Sequence, residues 1–129
     1  MTTFKFDHIH IFTRDPEGTA KWYETMFGAE VIRTSQQGKP RLDMKIGGAN
    51  IFILDVSGDS KAATEPGHPH RGLDHFGFEV TGLDAVCAEL KKKGAKFTRE
   101  PDNVRPGIKI AFVEGPDKVS IEILERWKV

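Results

Sequence analysis

The sequence predicts an α+β fold built from two copies of one βαβββ unit. Two similar motifs, Asp7–Ile11 and Asp74–Phe78, each open a predicted strand that leads into an amphipathic helix. Each helix then ends at a glycine, Gly28 or Gly94, which lies 21 residues after the aspartate in the first copy and 20 in the second. Self-similarity at matched spacing over such a stretch indicates an internal repeat.

The first copy contains clear signals for where its helix begins and ends. Asp15 is a typical N-cap residue and Pro16 suits the first helical position, so the helix is predicted to run to about Phe27. Gly28 suits the left-handed conformation that often follows a helix. Three strands are predicted to follow at 30–34, 41–46 and 50–56, with a turn at 47–48 between the last two.

The second copy repeats this order with its own signals. Thr81 and Asp84 predict a capping box for its helix, and an apolar stripe runs along Leu83, Val86, Cys87 and Leu90. Its remaining strands are predicted at 96–99, 109–114 and 119–124, with a turn at 115–117. The two modules therefore span about 4–56 and 72–126, joined by a linker at 57–71 within one domain, 1–129.

Charge and composition exclude several classes of protein. The 129 residues contain 19 Lys and Arg against 19 Asp and Glu, and this balance predicts no nucleic-acid or anionic-membrane partner. No apolar run is longer than four residues, so neither a transmembrane helix nor a signal-peptide core is predicted. The single cysteine, Cys87, forms no intrachain disulfide and is consistent with the cytoplasm.

Candidate metal ligands lie on the strand faces predicted to point away from the helices. Because side chains alternate along a strand, His8 and His10 share one face while the isoleucines beside them share the other. His75 and Glu122 occupy corresponding faces in the second copy. Two imidazoles and a carboxylate suit Fe(II), Mn, Ni or Zn. Taken singly, each is more often a surface or core residue, although two histidines at equivalent repeat positions favour a site.

The chain resembles the vicinal oxygen chelate superfamily of glyoxalases, bleomycin resistance proteins and extradiol dioxygenases. The resemblance covers nearly the whole chain and is carried by Asp7–Ile11, Asp15, Trp22–Tyr23, Phe27–Gly28, Leu73–Val80, Gly94, Ala111–Asp117 and Ile121–Leu124. It implies paired βαβββ modules that form an incomplete barrel around a divalent metal. It also implies that His8, His75 and Glu122 are the metal ligands.

One position departs from the glyoxalase I pattern within that superfamily. Glyoxalase I and methylmalonyl-CoA epimerase use a fourth ligand, Glu or Gln, on the last strand of the first module, where this chain has Phe52. Since phenylalanine cannot bind a metal, the resemblance implies three protein ligands, as in extradiol dioxygenases and fosfomycin-modifying thiol transferases. This departure argues against glyoxalase I activity itself.

The remaining three histidines have different predicted roles, in catalysis or in a loop. His10 follows His8 on the same face, so it is predicted to act as a general acid or base, with a structural hydrogen bond as an equal alternative. Glu122 is a second catalytic candidate if it moves off the metal. His68 and His70 lie in the linker, where they are either plain loop residues or part of a metal-binding tail.

The sequence thus predicts a metal-dependent, glyoxalase-like lyase or isomerase that stabilises an oxyanion or enolate of a small oxygenated substrate. The alternatives are an Fe(II)-dependent extradiol-type dioxygenase, a thiol transferase and a metal-free binding protein of the bleomycin-resistance kind. The resemblance also implies a homodimer with shared active sites, in which His8 of one chain meets His75 and Glu122 of the other. No motif for a nucleotide cofactor is present.

Overall fold

The computed structural model describes residues 2–63 and 70–129, and the chain divides into two compact units, Met1–Ala62 and Ala63–Val129. The first unit contains β1 (Ile9–Thr13), α1 (Pro16–Phe27), β2 (Glu30–Gln36), β3 (Lys39–Ile46) and β4 (Ala49–Asp55). The second contains β5 (Phe76–Glu79), α2 (Leu83–Lys92), β6 (Lys96–Arg105), β7 (Ile108–Glu114) and β8 (Ser120–Arg126), with a 3₁₀ turn at Pro116–Lys118. The predicted α+β class and the repeated βαβββ order are confirmed.

The strands of each unit form one four-stranded sheet, and both sheets have the same topology. Their orders are β1-β4-β3-β2 and β5-β8-β7-β6. The first strand lies parallel to the last. The helix carries the chain back, so the second strand runs in the same direction as the first, the third runs opposite to it, and the fourth again runs with it. All other strand pairs are antiparallel. The start of each first strand lies near the start of its last strand, with Ile9 beside Ile51 and Phe76 beside Ile121.

Helix α1 begins and ends where its residues predict. The Asp15 side chain accepts a hydrogen bond from the Gly18 amide at 2.9 Å, and Pro16 occupies the first turn. Gly28 ends the helix in the left-handed conformation with φ of 67°. The buried face of α1 includes Ala20 and Tyr23, both fully buried in the core of the first unit. Local sequence is enough to define this helix.

The predicted capping box of α2 is wrong, because a residue from a distant strand caps this helix. The N-cap is Gly82, with φ of 76°, and Thr81 provides no side-chain cap. The carboxylate of Glu125, in β8, instead accepts hydrogen bonds from the amides of Gly82 and Leu83, each at 2.9 Å. The left-handed turn at Gly82 places Thr81 one residue outside the cap position. The β8 strand therefore stabilises the start of α2.

We expect Glu125→Ala to lower the midpoint of thermal unfolding by a few degrees, because two amides at the start of α2 lose their acceptor. Hydrogen bonds from Leu83 and then Gly82 lower the pKa of Glu125. This contribution to stability is therefore present above the unfolded-state pKa and is lost as pH falls through the folded-state pKa. Thermal unfolding measured across acidic pH checks it, with Glu79→Ala as the control. An unchanged midpoint and unchanged pH dependence would contradict the capping role.

Several strand boundaries differ from those predicted. Strands β1 and β5 begin at Ile9 and Phe76, so His8 and His75 lie one residue before them instead of within them. Strand β6 reaches Arg105, well beyond its predicted end at 99, and its pairing with β7 shifts register three times. The pattern of β6 is largely polar and exposed, so its sequence carries little strand periodicity. The predicted turn at 115–117 is present as part of the 3₁₀ turn.

The predicted assignment of side chains to a buried and an exposed face of each element also agrees with the structure at most positions. Ile11 is buried, whereas the neighbouring Phe12 is exposed on the face that also carries His10. On α2, Leu83, Cys87 and Leu90 are buried, and Val86 is only partly buried.

Within the described ranges, every helix is too short or too polar to cross a membrane. The assignment of both copies to one domain with a linker at 57–71 stays a prediction.

Candidate metal centre

Two of the predicted metal ligands, His75 and Glu122, lie side by side in the second unit. The register partner of Glu122 on β5 is Gly77, two residues after His75. The Nε2 atom of His75 lies 3.0 Å from Oε1 of Glu122. Both side chains are partly buried, with 33% of His75 and 18% of Glu122 exposed. Residues 47 positions apart in the chain thus place a nitrogen and an oxygen ligand in contact.

Gly77 lies close to Glu122 across the pair of parallel strands. A Cβ atom at Gly77 would lie 3.3 Å from both the Cβ and the backbone oxygen of Glu122. A larger residue at position 77 would therefore require Glu122 to shift by a few tenths of an ångström.

The imidazole of His75 is held on two further sides. Its Nδ1 atom lies 2.8 Å from Oδ2 of Asp74. Its ring also meets the ring of Phe112 edge to face, with 4.9 Å between centroids. Phe112 is itself the register partner of Glu122 on β7. These contacts orient the ring so that Nε2 is the nitrogen that faces Glu122.

The contact between His75 and Glu122 needs a proton or a metal ion between the two atoms. A neutral imidazole carries one N–H, and a hydrogen bond from Nδ1 to Asp74 uses it. Nε2 of His75 and Oε1 of Glu122 would then both present lone pairs at 3.0 Å, an arrangement that needs a proton or a metal ion between them. Two ligands that each bind one ion at about 2.1 Å can adopt this separation. The donor set therefore fits a divalent metal.

The corresponding corner of the first unit has an aromatic ring in place of the carboxylate. His10 pairs with Phe52 in the register where Gly77 pairs with Glu122, so Phe52 takes the position of Glu122. The Phe52 ring stacks on the imidazole of His8, with centroids 4.2 Å apart and planes at 24°. Where glyoxalase I has its fourth ligand, this chain therefore has Phe52, which packs against the ring of His8.

His10 lies on the same face, in contact with both rings of that stack. Its ring meets those of His8 and Phe52 edge to face, each at 6.0 Å between centroids. Burial lowers the pKa of His10 most, and the charges of His8 and Arg41 lower it further, whereas Asp43 opposes this. Desolvation and nearby cations both disfavour imidazolium, so this environment favours the neutral form of His10.

Arg41, beside His10 on the first unit, has three partners there. Its guanidinium lies 5.0 Å from the centroid of the Phe52 ring. Its Nε atom donates to Asp43, and its Nη1 atom donates to Gln36 at 2.8 Å. The ion pair with Asp43 offsets the charge of Arg41, and the three contacts together hold its side chain in place.

The remaining predicted site residues are distributed as follows. His8 and His10 lie in the first unit, whereas His75 and Glu122 lie in the second. Across residues 2–63 and 70–129, no group of three or more His, Cys, Asp or Glu side chains is close enough to hold a metal ion. Nε2 of His70 lies 3.0 Å from the carbonyl oxygen of Leu73. His68 lies outside the described residues.

Sequence reasoning missed a contribution from the aspartates that precede His8 and His75. Asp7 contacts Nδ1 of His8 at 2.7 Å, and Asp74 contacts Nδ1 of His75 at 2.8 Å. Both aspartates were visible in the sequence as part of the repeated motif, but only as markers of the repeat. Their recurrence immediately before each candidate ligand was the available signal.

Two βαβββ sheets of the same topology in one chain, one of which has a histidine and a carboxylate in contact, define the class of fold and of candidate site. Residues 5–123 match the Glyoxalase/Bleomycin resistance protein/Dioxygenase superfamily. The chain belongs to this family, and the resemblance predicted from the sequence is confirmed.

Individual relatives agree with this membership. The chain is 43% identical to a probable chloroplastic lactoylglutathione lyase of Arabidopsis thaliana over 92% of its length. It is 27% identical to the lactoylglutathione lyase of Haemophilus influenzae, covering 92% of this chain and 90% of that protein. A glyoxalase/bleomycin resistance protein/dioxygenase domain from Frankia sp. has the same fold, with a TM-score of 0.77, 22% identity, and coverage of 98% and 95% of the two chains.

Some relatives are much longer than this chain. The matched region spans 35% of the Arabidopsis protein and 45% of a glyoxalase I of Saccharomyces cerevisiae. Their activities as whole proteins therefore do not transfer directly to this chain.

Proposed function

We propose that this protein is a metal-dependent lyase or isomerase of the glyoxalase kind, acting on a small oxygenated substrate. The contact of 3.0 Å between Nε2 of His75 and Oε1 of Glu122 supports this proposal, because an imidazole and a carboxylate in contact are side chains of the kinds that bind divalent metals. His8 is the third proposed ligand. Fe, Mn, Ni and Zn each suit two imidazoles and a carboxylate.

The bound metal would act as a Lewis acid and stabilise negative charge on a substrate oxygen, an effect worth several kcal/mol. His10 is the proposed general base. Its neutral imidazole can take a proton from a carbon next to a carbonyl and return it to the neighbouring carbon or oxygen. Glu122 is the alternative base. The lowered pKa of His10 keeps its lone pair available near neutral pH.

The proposed active assembly is a homodimer, in which His8 of one chain acts with His75 and Glu122 of the partner. The exposed face of the first unit supports this assembly. Phe12 and Leu54 are register partners there, and 55% and 44% of their surfaces are exposed. Two adjacent apolar side chains on a strand face are suited to contact with another protein surface. The free, buried Cys87 is consistent with a proposed location in the reducing cytoplasm.

An extradiol-type dioxygenase is the second candidate, and Phe52 is the observation that favours it. Phe52 occupies the register position of Glu122 in the first unit and cannot bind a metal. Three protein ligands leave open positions, which a dioxygenase uses for its organic substrate and for dioxygen. A thiol transferase and a metal-free binding protein are the remaining alternatives.

Metal analysis of protein purified without a histidine tag tests the proposal. We expect about one divalent metal ion per chain, and lyase or isomerase turnover of the thiol adduct of a small 2-oxoaldehyde that chelation abolishes and metal restores. Light scattering should give twice the mass of one chain. Oxygen uptake with catechols, without lyase activity, would favour the dioxygenase. Absence of bound metal at saturating concentrations would reject both enzymes in favour of a binding protein.

A further inference from the structure

Each of the two candidate ligand histidines is preceded by an aspartate whose carboxylate contacts the histidine Nδ1 atom. The distances are 2.7 Å for Asp7 with His8 and 2.8 Å for Asp74 with His75. The two pairs lie in different units, each just before the first strand of its sheet. The same contact has therefore formed twice, at equivalent positions of the repeat.

An ionised carboxylate beside Nδ1 determines which nitrogen of a neutral imidazole carries the proton. The carboxylate can only accept hydrogen bonds, so it favours the tautomer with hydrogen on Nδ1. That tautomer leaves the lone pair on Nε2, which is the atom available to a metal ion. A carboxylate partner also fixes the ring plane and raises the basicity of the opposite nitrogen.

The surroundings of both rings agree with this role. In the second unit, Nε2 of His75 is the nitrogen that faces Glu122, so Asp74 and Glu122 lie at opposite ends of one imidazole. In the first unit, His8 lies between Asp7 at its Nδ1 atom and the stacked ring of Phe52. Each imidazole thus has a carboxylate at Nδ1 and an aromatic or carboxylate neighbour that limits its rotation.

We propose that Asp7 and Asp74 are positioning residues, which hold His8 and His75 in the tautomer that presents Nε2 to a divalent cation. The proposal rests on the metal-dependent function proposed above. Neither aspartate is proposed to touch the metal or the substrate. Their effect passes through the imidazole, as in other sites where a carboxylate supports a ligating histidine.

Substitution of each aspartate tests this role through metal affinity. We expect Asp7→Ala and Asp74→Ala to weaken binding of Zn²⁺ or Mn²⁺ about 10- to 100-fold in a competition titration. Asp7→Asn and Asp74→Asn should lose less, because the amide oxygen can still accept from Nδ1. Asp102→Ala is the control, since Asp102 pairs with Arg99 at the surface. Thermal unfolding of every variant in the metal-free form separates weakened binding from unfolding.

A second readout requires no metal. Two-bond ¹H–¹⁵N correlation spectra of the metal-free protein, recorded above the titration range of histidine, report the tautomer of each imidazole. His8 should be protonated at Nδ1 in the parent protein and shift towards protonation at Nε2 in Asp7→Ala. Asp102→Ala should leave the His8 signals unchanged.

Two failures can be distinguished. If the parent protein binds no divalent metal, the proposed function fails, and the His8 tautomer still decides the role of Asp7. If the parent protein binds metal and both alanine variants bind it with the same affinity, the positioning role is wrong while the metal site stands. An unchanged His8 tautomer in Asp7→Ala would also overturn the proposal.

Discussion

Replacement of His75 by alanine is expected to abolish stoichiometric metal binding and, with it, activity. The substitution removes the nitrogen that lies 3.0 Å from Glu122 and leaves that carboxylate without its neighbouring ligand. Loss of a partner that only supports a ligand costs about 10- to 100-fold in affinity, so loss of the ligand itself should cost more than about 100-fold. Metal content and a competition titration on the purified variant measure the effect.

Two further variants make this prediction specific. Glu122→Gln keeps the shape of the side chain but removes its charge, so it should also weaken metal binding strongly. Asp102→Ala is the control, because it removes a carboxylate that pairs with Arg99 at the surface, away from His75 and Glu122 in the chain. Retention of a full complement of metal by His75→Ala and Glu122→Gln would show that the site lies elsewhere.

Replacement of His10 by glutamine is expected to lower kcat by about 10²- to 10⁴-fold while metal content and the affinity for metal stay unchanged. The amide of glutamine can still form hydrogen bonds, but it cannot take up a proton near neutral pH. His10 lies on the face of β1 beside His8, and its partial desolvation lowers its pKa and favours the neutral imidazole. Steady-state kinetics with metal-loaded protein give kcat and KM separately.

The comparison of kcat with KM separates catalysis from structure. A loss confined to kcat is what removal of a base predicts, whereas a rise in KM alone would assign His10 to substrate binding. Full kcat in His10→Gln would make Glu122 the remaining candidate base. A lowered unfolding midpoint with normal kcat would support the structural alternative, in which His10 packs against Phe52.

Most of the secondary structure follows from local signals. Asp15, Pro16 and Gly28 lie where α1 begins and ends, because capping depends on residues within one turn of the helix end. The start of α2 differs, because its cap is Glu125, 42 residues away from the amide of Leu83. Sequence patterns within α2 contain no trace of that contact.

The sequence predicted which residues form the candidate site and which strand faces carry them, but it did not predict the contacts between their side chains. Alternation along a strand placed His8 and His10 on one face, and the repeat indicated that His75 was equivalent to His8. The contact between His75 and Glu122 depends on the register of β5 against β8. The position of His8 as a third ligand stays a prediction.

The sequence by itself determined the two βαβββ copies and the types of residue able to bind a metal, because periodicity, capping residues and repeated motifs can be read along the chain, and the same motifs carried the resemblance to the family. The tertiary structure decided which of those residues meet. Parallel pairing places Glu122 beside Gly77 and Phe52 beside His10, so one copy presents a carboxylate where the other presents an aromatic ring. The hydrophobic pattern decides which face of each strand is buried, whereas the pairing partner of a strand that is joined through a helix and two further strands depends on packing between residues far apart in the chain.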